Sequence, residues 1–554
     1  MTSDTTISTG NQNALHQKFQ PGFAGEINSN IEVSQFTSAQ SQYADLFPSA
    51  LLELLLELHT AFEPERQRLL SKRRDRQDRY DAGEVPQFTS QHPAHQSEWR
   101  VAPIPADLMD RRVEITGPIS NRKMVLNMLS PNQDGVRACT AMLDFEDSMA
   151  PTWKNVVSGI ENIIGVANLS LTISQNQPDG SIKTYRLDPK NMAHPMVRVR
   201  GLHMNEKNVL INDVPMAAGM FDLATTAFHT AKIFLASGKT PKFYVPKCEH
   251  FEEARWWNLV FRGIEKKLSL ADGALKATFL IETLPAAFQM KEILFELRER
   301  VCGLNGGRWD KIFSDIKTLK MHSDRVLANR SVIDMSQPWM DQYAKLLIRT
   351  CHQHGAFAMG GMSAFTPGQE PEVRQQQTAK VIADKKRESE IGHDGCWVSH
   401  PYFITLAKAQ FTKGNQLDVL PKDLPERPDL LPKSTGPKTL DGLKQNLRVG
   451  IAYQHGWDQG IGCVAFENLM EDLATLEISR AQVWQWLHHR VILDDGTAVT
   501  SDLVKSLFQT ECDQILKNLN VTQPDEKQKY IEAKNKIEKV FLRKELDPFF
   551  TTIN

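Results

Sequence analysis

The sequence contains few cysteines and no long apolar run. Its seven cysteines are dispersed over 554 residues, and no two of them are spaced as a CxxC pair. An odd, dispersed set in a chain of this length argues against a disulfide framework, so we expect a reducing, cytoplasmic location. No apolar stretch approaches the roughly 20 residues that cross a bilayer, and we therefore expect no membrane partner.

A surplus of charge of one sign is also missing. The chain has 65 Lys and Arg against 67 Asp and Glu, which gives a net charge of -2 at pH 7. Because no overall basic field exists, we expect no nucleic-acid partner. The chain does have 41% hydrophobic and 24% charged residues, a composition typical of a folded protein.

The chain is too long for one ordinary core, and its pattern divides it into several parts. Residues 1–45 are polar and predict a mobile leader, whereas residues 46–110 begin with a strong helical pattern and predict an N-terminal helical clasp. Residues 402–440 are rich in proline and charge and predict a linker. Residues 441–554 return to a helical pattern and predict a C-terminal helical domain.

Between the clasp and the linker, residues 111–401 show short apolar runs, several of them followed by helical stretches. Several runs lack clean alternation, as strands buried on both faces do. Eight runs in this arrangement predict an α/β fold, a (β/α)8 TIM barrel, with a doubly wound open sheet as the alternative. Residues 169–189 predict a hairpin inserted between two barrel strands. The eight predicted strands cover residues 124–130, 140–146, 195–201, 242–248, 277–283, 301–305, 356–362 and 395–401.

Charged side chains stand where several of these strands end, which is where a TIM barrel builds its active site. Carboxylates that lie close together repel one another, and burial adds to the cost unless a cation is present. Oxygen ligands without paired His or Cys favour Mg²⁺ over Zn²⁺. Glu282 by itself could equally be a solvated turn residue. The strand-end residues are Asp144, Glu146, Asp147, Arg198, Arg200, Glu282 and Asp310.

The loop GLNGGRWD, residues 303–310, contains three glycines ahead of a helical stretch. Such a loop lets backbone N–H groups converge on an anionic oxygen at the start of the helix. Ordinary turn glycines are the alternative interpretation of the same residues.

Two stretches carry a family resemblance, RVCGLNGGRWDKIFSDIK (300–317) and LMEDLATLEISRAQVWQW (469–486). Together with LDFEDSMAP (143–151), VRVRGLH (197–203) and ATFLIETLPAAFQM (277–290), they resemble the malate synthase family in its shorter, A-type form. The resemblance runs from about residue 46 to 515, which is most of the chain.

The resemblance implies an acyltransferase of the glyoxylate bypass, which supplies the tricarboxylic acid cycle. Its reaction would be a Mg²⁺-dependent Claisen condensation of acetyl-CoA with glyoxylate, followed by hydrolysis to malate and CoA. It also implies a C-terminal helical plug over the mouth of the barrel. The implied residues are Arg198 and the base Asp472 for catalysis, Glu282 and Asp310 for Mg²⁺, Arg198, Gly307, Arg308, Trp309 and Asp310 for glyoxylate, Asp144 and Glu146 as supporting acids, and Ser148 near the CoA chain.

The sequence departs from the family pattern at four positions. Arg300 stands where a histidine is usual, Gly306 replaces a cysteine, Lys311 a tyrosine and Ala465 a proline. None is an implied ligand or base, so these changes bear on substrate affinity and loop geometry. A citrate-lyase-like or malyl-CoA lyase barrel is an alternative function, although those chains are shorter and lack the LMED plug. A non-enzymatic scaffold barrel is a second alternative.

Overall fold

A computed structural model describes residue 43 and residues 45–176, 180–433 and 435–553. The leader predicted at residues 1–45 therefore lies, apart from two residues, outside the described part of the chain. Among the helices of the described part, none combines the length and apolar character that a membrane crossing requires.

The strands and helices alternate along the middle of the chain. The strands are β1 (Val113–Pro118), β2 (Thr140–Asp144), β3 (Thr172–Asn176), β4 (Ile182–Arg186), β5 (His194–Arg198), β6 (Asn205–Ile211), β7 (Val214–Ala217), β8 (Lys242–Val245), β9 (Lys276–Ile281), β10 (Val301–Gly306), β11 (Phe357–Ser363), β12 (Gly395–Val398), β13 (Val464–Phe466) and β14 (Leu469–Glu471). The helices are α1 (Ser49–Asp81), α2 (Arg122–Leu129), α3 (Trp153–Ala167), α4 (Ala218–Ala236), α5 (Phe251–Lys267), α6 (Leu284–Ala287), α7 (Met290–Glu296), α8 (Arg308–Thr318), α9 (Pro338–Gln353), α10 (Pro371–Ile391), α11 (Ile404–Lys408), α12 (Leu440–Asp458), α13 (Leu473–His488), α14 (Ser501–Asn518) and α15 (Pro524–Phe541).

Eight parallel strands close into a barrel in the order β1, β2, β5, β8, β9, β10, β11, β12. Closure of β12 on β1 confirms the predicted (β/α)8 barrel and rules out the open sheet. The barrel strands are almost wholly buried, which explains why their sequences read as apolar runs. Two antiparallel hairpins, β3–β4 and β6–β7, are inserted between barrel strands.

The first predicted strand, residues 124–130, was wrong. These residues lie in α2, whose N-terminus is capped by the Asn121 side chain, which accepts a hydrogen bond from the Met124 N–H. The first strand of the barrel is β1, which the pattern missed because the charged Glu114 interrupts its apolar residues. Inside the barrel the Glu114 carboxylate accepts a hydrogen bond from Arg111 at 2.8 Å, so a charged pair occupies an otherwise apolar strand position.

The N-terminal helix α1 clasps the outside of the barrel against α5 and α4. Its arginines reach inward, and Arg66 is fully buried, with hydrogen bonds to the carbonyl oxygens of Leu202 and Met204. Arg73 forms a two-pronged ion pair with Glu253 on α5, with distances of 2.8 and 2.7 Å. Charge-assisted, bidentate bonds of this kind fix orientation as well as adding stability.

The helices α12 to α15 form a second core that sits over one end of the barrel. An apolar cluster joins the two parts, in which Ile312 and Phe313 of α8 pack with Ile478 and Trp484 of α13. The β13–β14 hairpin adds backbone bonds, because the Met470 N–H donates to the Ala364 carbonyl at 2.8 Å. The plug is therefore held by apolar packing and by main-chain hydrogen bonds together.

Candidate active site

A cavity lies at the carboxyl ends of the barrel strands, beneath the plug. Strands β1, β5, β9, β10, β11 and β12 contribute to its wall, and the β13–β14 hairpin and the start of α13 close it from above. Parallel strands of a barrel bring their carboxyl ends to one face, so residues far apart in sequence meet there. Of the residues singled out in the sequence, those lining the cavity are Asp147, Ser148, Arg198, Glu282, Gly306, Gly307, Arg308, Trp309, Asp310 and Asp472.

Arg198 ends β5 with its guanidinium held against Asp144 at the end of β2. Its Nε and Nη2 donate to the two carboxylate oxygens of Asp144 at 2.7 and 2.5 Å. Burial acts to raise the pKa of Asp144, but the Arg198 charge and hydrogen bonds hold it below its ordinary value. The ring of Trp397 lies 5.7 Å from the guanidinium carbon, so one face of Arg198 is packed against an aromatic wall.

Asp144 also organises the loop that follows it. Its carboxylate accepts hydrogen bonds from the Glu146 and Ser148 N–H groups at 2.8 and 3.0 Å, and from the Ser148 hydroxyl at 2.6 Å. The loop therefore folds back over Asp144, which leaves Asp144 and Glu146 behind the cavity wall and exposes Asp147 and Ser148 to the cavity.

Glu282 follows β9 and is 1% exposed. Its Oε1 accepts the Lys247 backbone N–H at 2.8 Å, whereas its Oε2 has no hydrogen-bond partner among the described residues. The absence of a side chain at Gly307 makes room for it, since a Cβ there would lie 2.8 Å from Oε2. The glycine is thus required by the close approach of Glu282, which the alternative of an ordinary turn glycine does not explain.

Lys247 lies among the acidic groups. Its Nζ is 2.7 Å from Asp147 Oδ2, 2.8 Å from Glu146 Oε1 and 3.1 Å from Asp310 Oδ1. Burial acts to lower the pKa of Lys247, but the surrounding carboxylates raise it well above its ordinary value. This lysine was not singled out from the sequence. Its position was the only local indication, since it directly follows the run KFYVP at the end of a strand.

The carboxylates of Glu282 and Asp310 are destabilised as anions. Burial raises the pKa of Glu282 to about 7, with further raising by Glu146 and Asp147. Burial likewise raises the pKa of Asp310 well above its ordinary value, and Glu282 and Asp147 add to the effect. Crowded carboxylates of this kind are typical of functional sites and of places that receive a cation.

Asp472 reaches the cavity from the plug. It caps the N-terminus of α13, where its side chain accepts the Thr475 N–H at 3.3 Å. The next residue, Leu473, donates its N–H to the Asp147 carbonyl at 3.1 Å, which docks the start of the helix on the barrel. Burial raises the pKa of Asp472 well above its ordinary value, as do Asp147 and Asp310.

An ion pair between the barrel and the plug involves Glu471, the residue directly before Asp472. Arg330, in the segment that precedes α9, contacts Glu471 at 2.9 Å, and each side chain is 2% exposed. The same arginine donates to the Ser479 hydroxyl at 3.2 Å and lies over the Trp309 ring at 5.4 Å. Arg330 thus joins the cavity loop to the plug, a role that no local sequence pattern revealed.

The four departures from the family pattern are spread over the molecule. Only Gly306 lines the cavity. Arg300 is buried at the opposite end of the barrel, where it pairs with Glu265. Lys311 is buried in an ion pair with Asp315 one helical turn later, and Ala465 is exposed in β13. Three of the four departures therefore lie outside the cavity wall.

Family models match three stretches of the chain. "Malate synthase, TIM barrel domain" matches residues 195–428. "Malate synthase, C-terminal" matches residues 437–554, and "Malate synthase, N-terminal domain" matches residues 32–92. Together these stretches include Arg198, Glu282, Asp310 and Asp472.

The chain belongs to the malate synthase family.

Individual relatives agree with this assignment. Malate synthase A of Escherichia coli (strain K12) is 44% identical over 486 residues, covering 86% of this chain and 89% of that protein. Malate synthase of Myxococcus xanthus (strain DK1622) is 44% identical over 482 residues, covering 86% and 87%. The glyoxysomal malate synthase of Candida tropicalis is 40% identical over 487 residues, covering 85% and 87%.

Membership of the malate synthase family confirms the resemblance found in the sequence and makes the chain an enzyme of the acyltransferase type. The non-enzymatic scaffold is not supported by these relatives, and neither is a citrate-lyase-like or malyl-CoA lyase function.

Proposed function

We propose that the cavity condenses acetyl-CoA with glyoxylate in a Mg²⁺-dependent reaction and hydrolyses the product to malate and CoA. The observation that carries the proposal is the meeting of Asp472 from the plug with Arg198, Glu282 and Asp310 from the barrel around one cavity. Each of these residue types has a distinct task in forming a carbon–carbon bond from a thioester.

Glu282 and Asp310 fit a divalent cation. The buried Glu282 Oε2 lacks a hydrogen-bond partner within the described residues, and so does the neighbouring Asp147 Oδ1. In the described part of the chain no cluster of three or more His, Cys, Asp or Glu forms a complete ligand set. Two carboxylates suit Mg²⁺, which takes its other ligands from substrate and water. When bound, Mg²⁺ would polarise the glyoxylate carbonyl and fix its orientation.

Asp472 would accept a proton from the methyl group of acetyl-CoA. That methyl is a weak carbon acid, and a buried carboxylate with a raised pKa is a stronger base toward it. Loss of the proton leaves an enolate, whose methylene carbon attacks the aldehyde carbon of glyoxylate. The new bond joins C2 of the acetyl group to that carbon, while the π pair of the aldehyde carbonyl moves onto its oxygen, which takes up a proton and becomes the hydroxyl of the product. Water then cleaves the thioester and releases CoA.

Arg198 would hold the thioester oxygen as negative charge develops on it. An arginine remains charged at any working pH, and Asp144 fixes its plane through two hydrogen bonds. Donors that are oriented before the reaction stabilise the developing charge without reorganising during it. Asp144 and Glu146 would therefore act through Arg198 and Lys247, and Ser148 would face the CoA chain at the cavity wall.

The start of α8 would hold the carboxylate of glyoxylate. Gly307 precedes the helix, and Arg308, Trp309 and Asp310 form its first turn. The first N–H groups of a helix have no acceptor within it, and the helix dipole favours an anion at this end. The chemistry agrees with the anion site that the loop glycines predicted.

The test is to follow CoA thiol release from acetyl-CoA with and without glyoxylate and Mg²⁺, for the unsubstituted protein and Asp472→Asn. We expect release to need both additions and to fall by about 10²–10⁴ in the variant, the usual contribution of a general base. Asp458→Asn, on the surface of the plug, is the matched control and should keep full activity. Undiminished release by Asp472→Asn would exclude it as the base, and release with a different acceptor would favour the lyase alternative.

The reaction would place the enzyme in the glyoxylate bypass. A cytoplasmic location remains a prediction from the dispersed, unpaired cysteines, all seven of which are free in the structure. The relatives include both the bacterial malate synthase A and a protein named as glyoxysomal. Fractionation of cells that express the chain would decide between these locations.

A further inference from the structure

Lys247 adopts a backbone conformation that side chains with a Cβ rarely take. Its φ is +54°, in the left-handed region, two residues after the end of β8. Both of its backbone groups are engaged, since its N–H donates to Glu282 Oε1 and its carbonyl accepts from Arg73 Nη2, each at 2.8 Å. Disfavoured conformations that the surroundings hold in place are concentrated at functional sites.

The ammonium group of Lys247 contacts three carboxylates and does not line the cavity. It lies within 3.1 Å of Glu146, Asp147 and Asp310, and the residue is 2% exposed. Lys247 is not among the side chains that line the cavity. Any effect of Lys247 on the reaction must therefore pass through these carboxylates and not through contact with a substrate.

Acidic groups outnumber basic ones around the cavity, and Lys247 supplies part of the opposing positive charge. Six carboxylates lie at or just behind its wall, and Arg198 gives its two shortest hydrogen bonds to one of them, Asp144. Lys247 is the closest cation to Glu146, Asp147 and Asp310. The six are Asp144, Glu146, Asp147, Glu282, Asp310 and Asp472.

We propose that Lys247 is a positioning residue that acts as the internal counter-ion of the metal site. It holds Glu146, Asp147 and Asp310 together when no divalent cation is present, and its charge competes with that cation. This inference rests on the proposed function, because it takes Glu282 and Asp310 as the Mg²⁺ ligands.

Two consequences follow from electrostatics. A fixed positive charge beside Asp310 repels a second cation bound to the same carboxylate, so Lys247 weakens Mg²⁺ binding. Without Mg²⁺, removal of Lys247 leaves Asp310 without its ion pair and leaves Glu146 and Asp147 with only their longer contacts to Arg198, at 3.4 and 3.7 Å, which destabilises the fold. Lys247 thus stabilises the fold when Mg²⁺ is absent and lowers the affinity for Mg²⁺, so that the bound ion can dissociate.

The test measures Mg²⁺ affinity by isothermal titration calorimetry and the melting temperature with and without Mg²⁺, independently of activity. We expect Lys247→Met and Lys247→Gln to melt lower than the unsubstituted protein without Mg²⁺ and to bind Mg²⁺ about tenfold more tightly. Lys247→Arg keeps the charge and should keep the affinity. Lys242→Met is the matched control, because Lys242 forms a buried pair with Asp107 at the other end of the barrel and should leave Mg²⁺ affinity unchanged.

Unchanged or weaker Mg²⁺ binding by the folded neutral variants would overturn the inference. So would neutral variants that stay unfolded in excess Mg²⁺, because the divalent ion should replace the missing charge. Glu282→Gln separates this result from failure of the proposed function. If that variant binds Mg²⁺ as tightly as the unsubstituted protein, or the unsubstituted protein binds none, the proposed metal site itself is wrong and the inference falls with it.

Discussion

The motif VRVRG contains two arginines, Arg198 at the end of β5 and Arg200 just after it, and they have different surroundings. Arg198 points to the cavity, whereas Arg200, two positions on, forms buried ion pairs with Asp222 and Glu206 away from it. The sequence VRVRG presents both as equivalent strand-end cations. The family resemblance singles out Arg198, and of the two arginines only Arg198 lines the cavity.

Replacement of Arg198 by lysine tests this separation. Lysine keeps the charge but loses the planar fork that Asp144 orients, so we expect kcat to fall by about 10²–10³, the cost of losing an oriented oxyanion donor. Steady-state kinetics of CoA release would measure it. Arg200→Lys, the matched control, should lower the melting temperature and leave kcat within about threefold. Equal kinetic effects of the two substitutions would contradict the assignment.

Gly307→Ala tests the close approach of Glu282 to the loop. A Cβ at Gly307 would lie 2.8 Å from Glu282 Oε2 and 2.9 Å from Glu282 Cβ, so the carboxylate must shift. We expect Mg²⁺ affinity to fall by about 10- to 100-fold, the usual cost of disturbing what orients a metal ligand. Calorimetric titration would measure it. Gly414→Ala is the control, because nothing lies within 4 Å of a Cβ there; equal affinities of the two variants would refute the steric argument.

At the scale of elements, the proposed base and the proposed metal ligands belong to different parts of the chain. Asp472 opens α13 in the plug, whereas Glu282 and Asp310 follow β9 and β10 in the barrel. Their meeting depends on contacts that hold α13 in place, among them the buried pair of Arg330 with Glu471 and the hydrogen bond from the Leu473 N–H to the Asp147 carbonyl. A substitution that shifts α13 can therefore lower the activity as strongly as replacement of Asp472 itself.

Arg330→Met should misplace the base without removing it. The substitution leaves Glu471 buried without its partner, which costs about 3–5 kcal/mol in a buried pair. Because a displacement of about 1 Å can cost about 100-fold in rate, we expect kcat to fall by about that factor. Arg448→Met, which removes a partly exposed pair with Glu467 inside the plug, should change kcat little. A variant with normal kcat would show that α13 docks without Arg330.

The elements also show what the sequence could and could not predict. Seven of the eight predicted strands coincide with barrel strands, because strands buried on both faces leave apolar runs in the sequence. The first was misplaced, because Glu114 is neutralised by Arg111 inside the barrel and a sequence pattern does not reveal such pairing. Lys247 was passed over for a related reason: a lysine after an apolar run has the same local signature whether it is solvated or held by three acids.

At the scale of the whole molecule, the barrel and the plug share an apolar interface. Residues of α8 and α13 form one cluster, to which Leu546 and Phe549 near the end of the chain also belong. The cavity is closed only when this interface is intact. Stability and activity should therefore be lost together.

We expect barrel and plug to unfold in a single calorimetric transition. Ile478→Ala, in the shared cluster, should lower that transition by removing about 2–5 kcal/mol of packing, and heat-inactivation should shift with it. The exposed Leu519→Ala is the control and should shift neither. Two resolved transitions in the unsubstituted protein, with activity following only one of them, would show that the parts unfold independently.

The β3–β4 hairpin contributes few buried side chains. All five residues of β4 are exposed, and the hairpin sits where α3 returns to the start of β5, at the end of the barrel opposite the cavity. A hairpin whose strands contribute little to a core accepts inserted sequence readily. A fluorescent reporter or an immobilisation tag placed there would leave both chain ends free, and the enzyme could be tethered to a surface with its catalytic face turned outward.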